Sequence, residues 1–280
     1  MPELPEVETI RGQLAPVVEG RRIREIDVSD PRWSMPLAPV ELSDAVRGRT
    51  VVRLARQGKY LDWQLSGELH LLMHLRMTGT LLLDPPAPPP YSRVRIELDD
   101  HTLYFSDPRR FGTGQLVAGD SELERFFSTR LGIEPFDERF DGRLLRELAR
   151  GRRGPIKSFL LDQRNVAGIG NIYADEALFR AGVHPLRPAG SLRPKQHELL
   201  AQSIREVLAA GIDARGASID DFRHLDGARG SFQDRFLVHR REGEPCPNCG
   251  RAISKLTVGG RGTYVCRHCQ PAPRRARQRR

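Results

Sequence analysis

Long hydrophobic runs are absent from this 280-residue sequence: no stretch approaches the roughly 18 uninterrupted apolar residues that a membrane span requires. Hydrophobic residues make up only 39% of the chain, below the roughly 45–50% that is usual for globular proteins. The first eight residues, MPELPEVE, contain three glutamates, which argues against a secretory signal. We therefore expect a cytoplasmic protein that does not associate with membranes.

Lysine is also rare, although the chain is rich in positive charge. Only four of the 45 basic residues are lysines, namely Lys59, Lys157, Lys195 and Lys255. A lysine amine is compact and can lose its proton, whereas an arginine guanidinium stays charged. A lysine that remains in such an arginine-biased chain is therefore a candidate for a site that needs an amine, above all where it falls inside another motif.

The balance of charge is basic, with a formal net charge of +9. Five of the positive charges lie in the last ten residues, PAPRRARQRR, which contain no acid. A basic tail attracts polyanions without sequence preference, but it can equally be a solvated end without a partner. The charge suggests nucleic acid as a partner without establishing it.

Short β-type segments fill the first 130 residues and are separated by glycine, proline and aspartate. They are RRIREIDV, TVVRLARQ, KYLDWQL, ELHLLMHL, TLLL, RVRIEL and TLYFS. This spacing favours a β-sandwich or barrel. A short helix is predicted before them: Pro5 suits a first helical turn. Three apolar residues, Val7, Ile10 and Leu14, then fall on one helix face.

The pattern becomes helical near residues 131–141. Four helical segments follow, GRLLRELAR, PIKSFLLDQ, NIYADEALFRAG and PKQHELLAQSIREVLAAG. In the last of them we predict one apolar stripe that packs in the core, formed by Leu199, Leu200, Ile204, Val207 and Leu208. The predicted domains are a β domain over 2–130, a helical domain over 131–236, a cysteine-bearing unit over 237–271 and a basic tail over 272–280.

All four cysteines fall within 24 residues, in the spacing Cys246-x2-Cys249-x16-Cys266-x2-Cys269. Two such pairs predict a tetrahedral Zn²⁺ site whose four thiolates leave no open position, so the metal is structural. Two disulfides are the alternative, but disulfides are rare in cytoplasmic proteins. Between the pairs, KLTVGGRGTYV predicts a β-hairpin that presents Arg261 at its tip, either to phosphate or a DNA groove, or as an ordinary turn residue.

Two glycines, Gly168 and Gly170, precede a predicted helix that begins near Asn171. Free amides at a helix N-terminus form an anion site, and glycine lets the anion approach closely because it has no side chain. Connections between helices also often contain glycine, so the motif alone is weak. Beside a basic chain and a zinc hairpin, phosphate binding is the better interpretation.

The segment DPRRFG, residues 107–112, predicts a turn that displays two arginines and an aromatic ring. Without context, a surface turn with Phe111 packed into the core is the commoner structure. The functional alternative is a wedge, in which the ring enters a base step of DNA and an arginine fills the vacated space.

The N-terminus carries the sharpest chemical indication. Removal of Met1 would leave Pro2 with a free secondary amine, and an α-amino group titrates near 7.7–8.0 against about 10.4 for lysine. Attack of that amine on a sugar C1′ would give an iminium that permits strand scission by elimination. Glu3 lies next to it, placed to donate or accept a proton. On these residues alone, an ordinary proline- and glutamate-rich helix start is the commoner explanation.

Taken together, these segments resemble the formamidopyrimidine-DNA glycosylase family, bacterial repair enzymes that excise oxidised purines. The matching motifs are PELPEVE, QGKY, HLRMTG, DPRRFG, GIGNIYADEALF and the four-cysteine finger, in that order. The resemblance implies a multidomain α+β fold: an N-terminal β-sandwich flanked by helices, a helical helix–two-turn–helix domain and a C-terminal zinc β-hairpin. It also implies one structural Zn²⁺, a bacterial cytoplasmic monomer, and double-stranded DNA with damaged bases as the partner.

The resemblance further implies roles for single residues. Pro2 would be the Schiff-base nucleophile, Glu3 the proton donor for base release, and Lys59 the general acid of β-elimination. Arg261 would act in δ-elimination while holding phosphate. The implied DNA contacts are Met77, Arg109 and Phe111 in the gap left by the flipped nucleotide, together with Tyr91, Arg152, Lys157 and Asn171. Tyr91 is a departure, since many relatives have histidine there.

Two other functions stay open. The first is the sister class that removes oxidised pyrimidines; the PELPEVE start and the pair Arg109 and Phe111 favour the purine enzyme instead. The second is a non-catalytic zinc-ribbon protein that binds DNA. Retention of Pro2, Glu3 and Lys59 argues against it.

Overall fold

The computed structural model describes residues 1–219 and 222–273, so the five arginines of the predicted basic tail lie outside the described residues. The chain forms two compact units. The first contains Met1–Arg130 together with Gly211–Gln233, and the second contains Leu131–Ala210 together with the chain from Asp234 onward. Among the described residues, no helix is both long and apolar enough to cross a membrane.

The first unit begins with helix α1, Leu4–Val18. Pro5 lies in its first turn, where a missing backbone N–H leaves no hydrogen bond unmade. Val7, Ile10 and Leu14, the three residues predicted to share one face, are fully buried. The prediction of a short amphipathic helix at the start of the chain is confirmed.

Two antiparallel sheets of four strands each form the body of the first unit, with strand orders β1-β6-β7-β5 and β2-β3-β4-β8. One apolar core includes inward-facing residues of both sheets and the buried face of α1. The predicted β-sandwich is confirmed. The elements after α1 are β1 Glu25–Val28, α2 Pro39–Val46, β2 Val51–Gln57, β3 Tyr60–Leu65, β4 Leu69–His74, β5 Thr80–Leu83, β6 Ser92–Glu97, β7 Thr102–Ser106, β8 Thr113–Ala118 and α3 Gly119–Ser128.

The second unit is helical and ends in a hairpin, but its bounds differ from the predicted domains: residues 211–233 belong to the first unit, and the cysteine-bearing residues belong to the same unit as the helices. Its elements are α4 Gly142–Ala149, α5 Ile156–Leu161, α6 Asn171–Arg180, α7 Pro194–Asp213, β9 Ser254–Val258 and β10 Arg261–Val265, and the last three residues of α7 belong to the first unit. In α7, one predicted core residue is wrong: Leu199 is 40% exposed, whereas its neighbour Leu200 is fully buried. Adjacent helical residues point about 100° apart, so the two cannot share one narrow stripe.

Strand β8 packs tightly against the first unit's short 3-10 turn, Pro31–Trp33. A Cβ atom added at Gly114 would overlap the indole of Trp33, which is only 2% exposed. The glycine therefore sets how closely the ring approaches the sheet.

We predict that Gly114→Ala lowers the free energy of unfolding by about 1–3 kcal/mol, because the extra methyl overpacks a filled core. Gly12→Ala is the matched control, because no described neighbour lies within 4 Å of an added Cβ there. Since Gly12 lies inside α1, alanine should stabilise the fold by about 0.5–1 kcal/mol. Urea unfolding followed by circular dichroism measures both, and equal stability of the two variants would contradict the packing argument.

Candidate active site and nucleic-acid interface

The start of the chain is anchored rather than loose. Pro2 is buried, and Glu3 is only 2% exposed, whereas Met1 before them is 44% exposed. Glu6 organises this region, since one of its carboxylate oxygens accepts a hydrogen bond from the Glu3 backbone N–H at 2.8 Å. Its other oxygen accepts one from the backbone N–H of Ala217 at 2.7 Å. Glu6 thereby ties the first residues of the chain to the Gly211–Gln233 segment of the same unit.

Lys59 lies in the turn between β2 and β3. Gln57 pairs with Tyr60, so Gly58 and Lys59 form a two-residue hairpin loop, and Gly58 has a φ of 57° that glycine adopts readily. Lys59 is only 5% exposed. The ring of Tyr60 next to it makes edge-on contacts with Phe126, Phe127 and His74. The turn of Lys59 is therefore packed through the ring of Tyr60.

His74 is a buried neighbour of this turn. Burial lowers its pKa well below the usual range, and the positive charges of Arg76 and Lys59 lower it further. Its Nδ1 accepts a hydrogen bond from the Arg76 backbone N–H at 2.9 Å. The imidazole is therefore neutral at physiological pH, and its Nε2 carries the proton.

The turn at residues 107–112 is built around one buried carboxylate, that of Asp107. Asp107 accepts hydrogen bonds from the backbone N–H groups of Arg109 at 3.2 Å, Phe111 at 2.8 Å and Gly112 at 2.8 Å. It also accepts one from the hydroxyl of Thr78, which follows Met77. The carboxylate therefore joins the turn that carries Met77 to the turn that carries Arg109 and Phe111.

Phe111 is not packed into the core. It is 48% exposed, and the guanidinium carbon of Arg109 lies 4.8 Å from the centre of its ring. Tyr91, 59% exposed, lies beside the same turn, because its carbonyl accepts a hydrogen bond from the Asp107 backbone N–H at 3.0 Å. The structure thus groups Met77, Tyr91, Arg109 and Phe111 on one rim of the first unit. The exposure of Phe111 contradicts the alternative in which its ring packs into the core.

In the second unit, Asn171 is the first residue of α6, and its side-chain N–H donates to the Gly262 carbonyl at 3.0 Å. Its side-chain oxygen is buried without a hydrogen-bond partner among the described residues. Arg261, next to Gly262, is exposed at the start of β10. Arg152 is exposed between α4 and α5. The start of α6 and the tip of the hairpin therefore lie next to each other, and the exposed guanidinium of Arg261 belongs to this tip.

Lys157 corrects the sequence prediction. It was expected to contact DNA, but its side chain is fully buried. Its Nζ donates to Asp175 Oδ1 at 2.7 Å, to Thr263 Oγ1 at 2.7 Å and to the Gly262 carbonyl at 3.2 Å. An ammonium enclosed in this way cannot reach a phosphate. Lys157 instead fixes the hairpin strand that follows Arg261, within a network that His239 extends by its contact with Asp175.

The four cysteine sulfurs converge on one point, all within 4.8 Å of one another. Two of the separations are 3.8 Å for Cys246 and Cys269 and 3.5 Å for Cys249 and Cys266. Tetrahedral coordination with metal–sulfur bonds of about 2.3 Å places sulfurs about 3.8 Å apart. Burial and hydrogen bonds with the neighbouring thiols raise the pKa of Cys269. The cluster has the donor set and spacing of a structural metal site.

Three side chains that organise the site are not singled out by sequence reasoning, namely Glu6, His74 and Asp107. All lie inside the quoted motifs PELPEVE, HLRMTG and DPRRFG, so the motifs contained a signal. A motif does not reveal, however, whether a polar side chain points inward to hold the backbone or outward to bind a ligand.

Comparison with known proteins covers nearly the whole chain. Residues 1–114 match the family model described as the formamidopyrimidine-DNA glycosylase N-terminal domain. Residues 131–223 match the formamidopyrimidine-DNA glycosylase H2TH domain, and residues 243–272 match the zinc finger found in FPG and IleRS.

Single relatives agree with these matches. A formamidopyrimidine-DNA glycosylase of Alkalilimnicola ehrlichii is 43% identical over 279 residues, covering 96% of this chain and 100% of the relative. The crystal structure of the Fpg protein of Thermus thermophilus has a TM-score of 0.87 at 42% identity and covers 96% of this chain and 98% of its own. A Lactococcus lactis Fpg, crystallised with DNA containing Fapy-dG, has a TM-score of 0.89 at 37% identity, covering 96% and 100%. Such identity over almost the full length of both chains shows that this protein belongs to the formamidopyrimidine-DNA glycosylase family.

Proposed function

We propose that this protein is a DNA repair glycosylase with lyase activity. It removes oxidised purines, 8-oxoguanine and formamidopyrimidines, from duplex DNA and then cleaves the strand by β,δ-elimination. The observation that carries the proposal is the anchored chain start: Pro2 and Glu3 are buried at the first turn of α1, in the same unit as the buried Lys59. The Lactococcus lactis relative crystallised with Fapy-dG DNA supports this substrate class.

The reaction uses Pro2 as the nucleophile once Met1 is removed. The Pro2 nitrogen attacks the sugar C1′, the glycosidic bond breaks, and Glu3 donates the proton that the departing base needs. The C1′–O4′ bond then breaks, O4′ takes up the proton that the Pro2 nitrogen loses, and an iminium forms between Pro2 and C1′. The iminium acidifies the C2′ proton, whose loss expels the 3′ phosphate. Lys59 supplies the general acid of that elimination, and a second elimination releases the 5′ phosphate.

The remaining residues hold the DNA. Exposed Phe111 and half-buried Met77 fill the space left by the flipped nucleotide, with Arg109 stacked against Phe111. Tyr91 and Arg152 contact the DNA backbone, while Asn171 and Arg261 bind phosphate. The position of Asn171 at the start of α6 supports this role, because a helix N-terminus favours a bound anion.

We propose Zn²⁺ as the ion of the cysteine cluster. Four thiolates form the donor set that zinc prefers in closed structural sites. When bound, the ion supplies folding energy rather than chemistry. The four cysteines hold it, and the hairpin that carries Arg261 depends on it.

The first prediction concerns the nucleophile. The processed protein, incubated with an 8-oxoguanine duplex and borohydride, should form a covalent adduct through Pro2. Pro2→Gly should slow trapping roughly 10²-fold or more, since a reacting group that loses its orientation costs that much. Pro5→Ala, a second proline of the same helix start, is the control for packing. An undiminished adduct in a Pro2 variant that retains Met1 would contradict the assignment.

Lys59→Arg tests the general acid. Arginine keeps the charge, so DNA affinity and its salt dependence should survive, but a guanidinium does not give up its proton. Cleavage of an abasic duplex in single turnover should fall roughly 10²–10⁴-fold. The control is Lys195→Arg, at a lysine 76% exposed on α7, which should leave cleavage unchanged. Parallel loss of binding and cleavage, or loss of neither, would refute the catalytic role.

Removal of the metal should abolish DNA binding and leave the β-sandwich folded, because so short a hairpin has too little core to persist alone. The measurements are metal analysis, DNA affinity and circular dichroism, before and after chelation and in Cys249→Ser. His268→Ala, at an exposed residue next to Cys269, is the control and should keep both metal and affinity. Unchanged affinity after verified metal loss would show that the site does not position Arg261.

A further inference from the structure

One arginine of the first unit joins the helix of the chain start to the turn of Lys59. The Nε of Arg56 donates to Glu8 Oε2 on α1 at 2.9 Å. Its Nη1 donates to the carbonyl oxygen of Gly58 at 2.9 Å. The Arg56 side chain is 11% exposed and that of Glu8 is 22% exposed, so both bonds are largely shielded from water.

The two ends of this link lie close in sequence to the proposed reacting groups. Gly58 immediately precedes Lys59. Glu8 follows Leu4, the first residue of α1, by four residues, which is about 6 Å along a helix axis. The link therefore connects the element that carries Pro2 and Glu3 to the loop that carries Lys59.

The chemistry of the link requires arginine. A guanidinium presents several N–H donors in a rigid planar fork, so it can bind a carboxylate and a carbonyl in two directions at once. A lysine ammonium is a single point on a flexible stem. It can keep the ion pair with Glu8 without also holding the Gly58 carbonyl in a fixed direction.

Glu8 is charged in the folded protein. Burial by itself would raise its pKa, but the hydrogen bonds and positive charges of Arg11 and Arg56 lower it below the ordinary value. Arg11 lies one turn along the same helix and binds the other carboxylate oxygen at 2.6 Å. Arg11 and Arg56 thus share one carboxylate, but of the two only Arg56 also bonds to the Gly58 carbonyl.

We propose that Arg56 is a positioning residue, which holds the turn of Lys59 in register with the chain start through Glu8 and the Gly58 carbonyl. The proposal rests on the proposed function. A merely structural ion pair would affect stability and leave the rate of each folded molecule unchanged. A positioning role would lower the rate of the chemical steps while binding and folding persist.

The experiment compares Arg56→Gln, Arg56→Lys and Glu8→Gln with Arg11→Gln as the matched control, which removes an ion pair to the same carboxylate without touching the turn. Three quantities are measured for each processed full-length protein: thermal stability, affinity for a duplex with an uncleavable tetrahydrofuran abasic analogue, and single-turnover cleavage of an abasic duplex. The cleavage rate is divided by the fraction of active protein, which the affinity titration gives.

We expect Arg56→Gln to lower the cleavage rate roughly 10- to 100-fold with affinity nearly unchanged, since small misplacement of a catalytic group costs up to about 10²-fold. Arg56→Lys should keep the stability of the parent but lose most of the rate. Glu8→Gln should be slowed as well, and combining it with Arg56→Gln should add little, because both break one link. Arg11→Gln should cleave at the parental rate.

The inference alone would be overturned by Arg56→Lys that cleaves at the parental rate, or by Arg56→Gln that loses stability but not the rate of its folded fraction. Equal slowing by Arg11→Gln would also overturn it, because the effect would then come from the charge of Glu8. A parental protein that neither cleaves abasic DNA nor forms a borohydride adduct would instead refute the proposed function, and the inference with it.

Discussion

A chain end is normally the least ordered part of a domain, because few contacts restrain it. Here the chain start is buried, since α1 packs Val7, Ile10 and Leu14 into the core of the sandwich directly behind Pro2 and Glu3. The proposed chemistry depends on this constraint, because a terminal amine is an effective nucleophile only if its approach to the sugar is oriented. The hydrophobic core of the first unit therefore stabilises the fold and would also orient the nucleophile of the proposed reaction.

The second unit meets a different difficulty, because a two-stranded hairpin cannot form a core of its own. The apolar cluster beside the hairpin is small and includes Cys246 and Cys266. Polar groups supply the remaining attachment: buried Lys157 bonds to the hairpin, and Glu176 accepts hydrogen bonds from three consecutive backbone N–H groups at residues 237–239. Burial raises the pKa of Glu176 despite these bonds. Lys157 thus holds β10, the strand that begins at Arg261, and Glu176 holds the segment at residues 237–239.

Most of the fold could be predicted from periodicity, because burial of one face leaves a regular pattern in the sequence. Helix α1 and helices α4 to α7 follow from such patterns, whereas α2 and α3 were not predicted, and the cysteine spacing predicts one four-ligand site. Strand β8 does not follow from such a pattern, because apolar and polar residues alternate poorly in its sequence TGQLVA. It is a strand because it pairs with β4. The apolar stripe of α7 predicts that Leu199 lies in the core, but its side chain is 40% exposed. Adjacent helical residues point about 100° apart, so Leu199 cannot face the core together with Leu200.

For the candidate site, the residue types and their order could be read from the sequence: an N-terminal proline and glutamate, a retained lysine in QGKY, an exposed-turn motif and a thiolate cluster. The direction in which each polar side chain points depends instead on tertiary packing. Packing turned Lys157 inward to Asp175, left Phe111 exposed and aimed Arg56 at two elements at once. The reason is physical. A buried charge needs partners that can lie far away in the chain, so a short motif does not predict which residues those partners are.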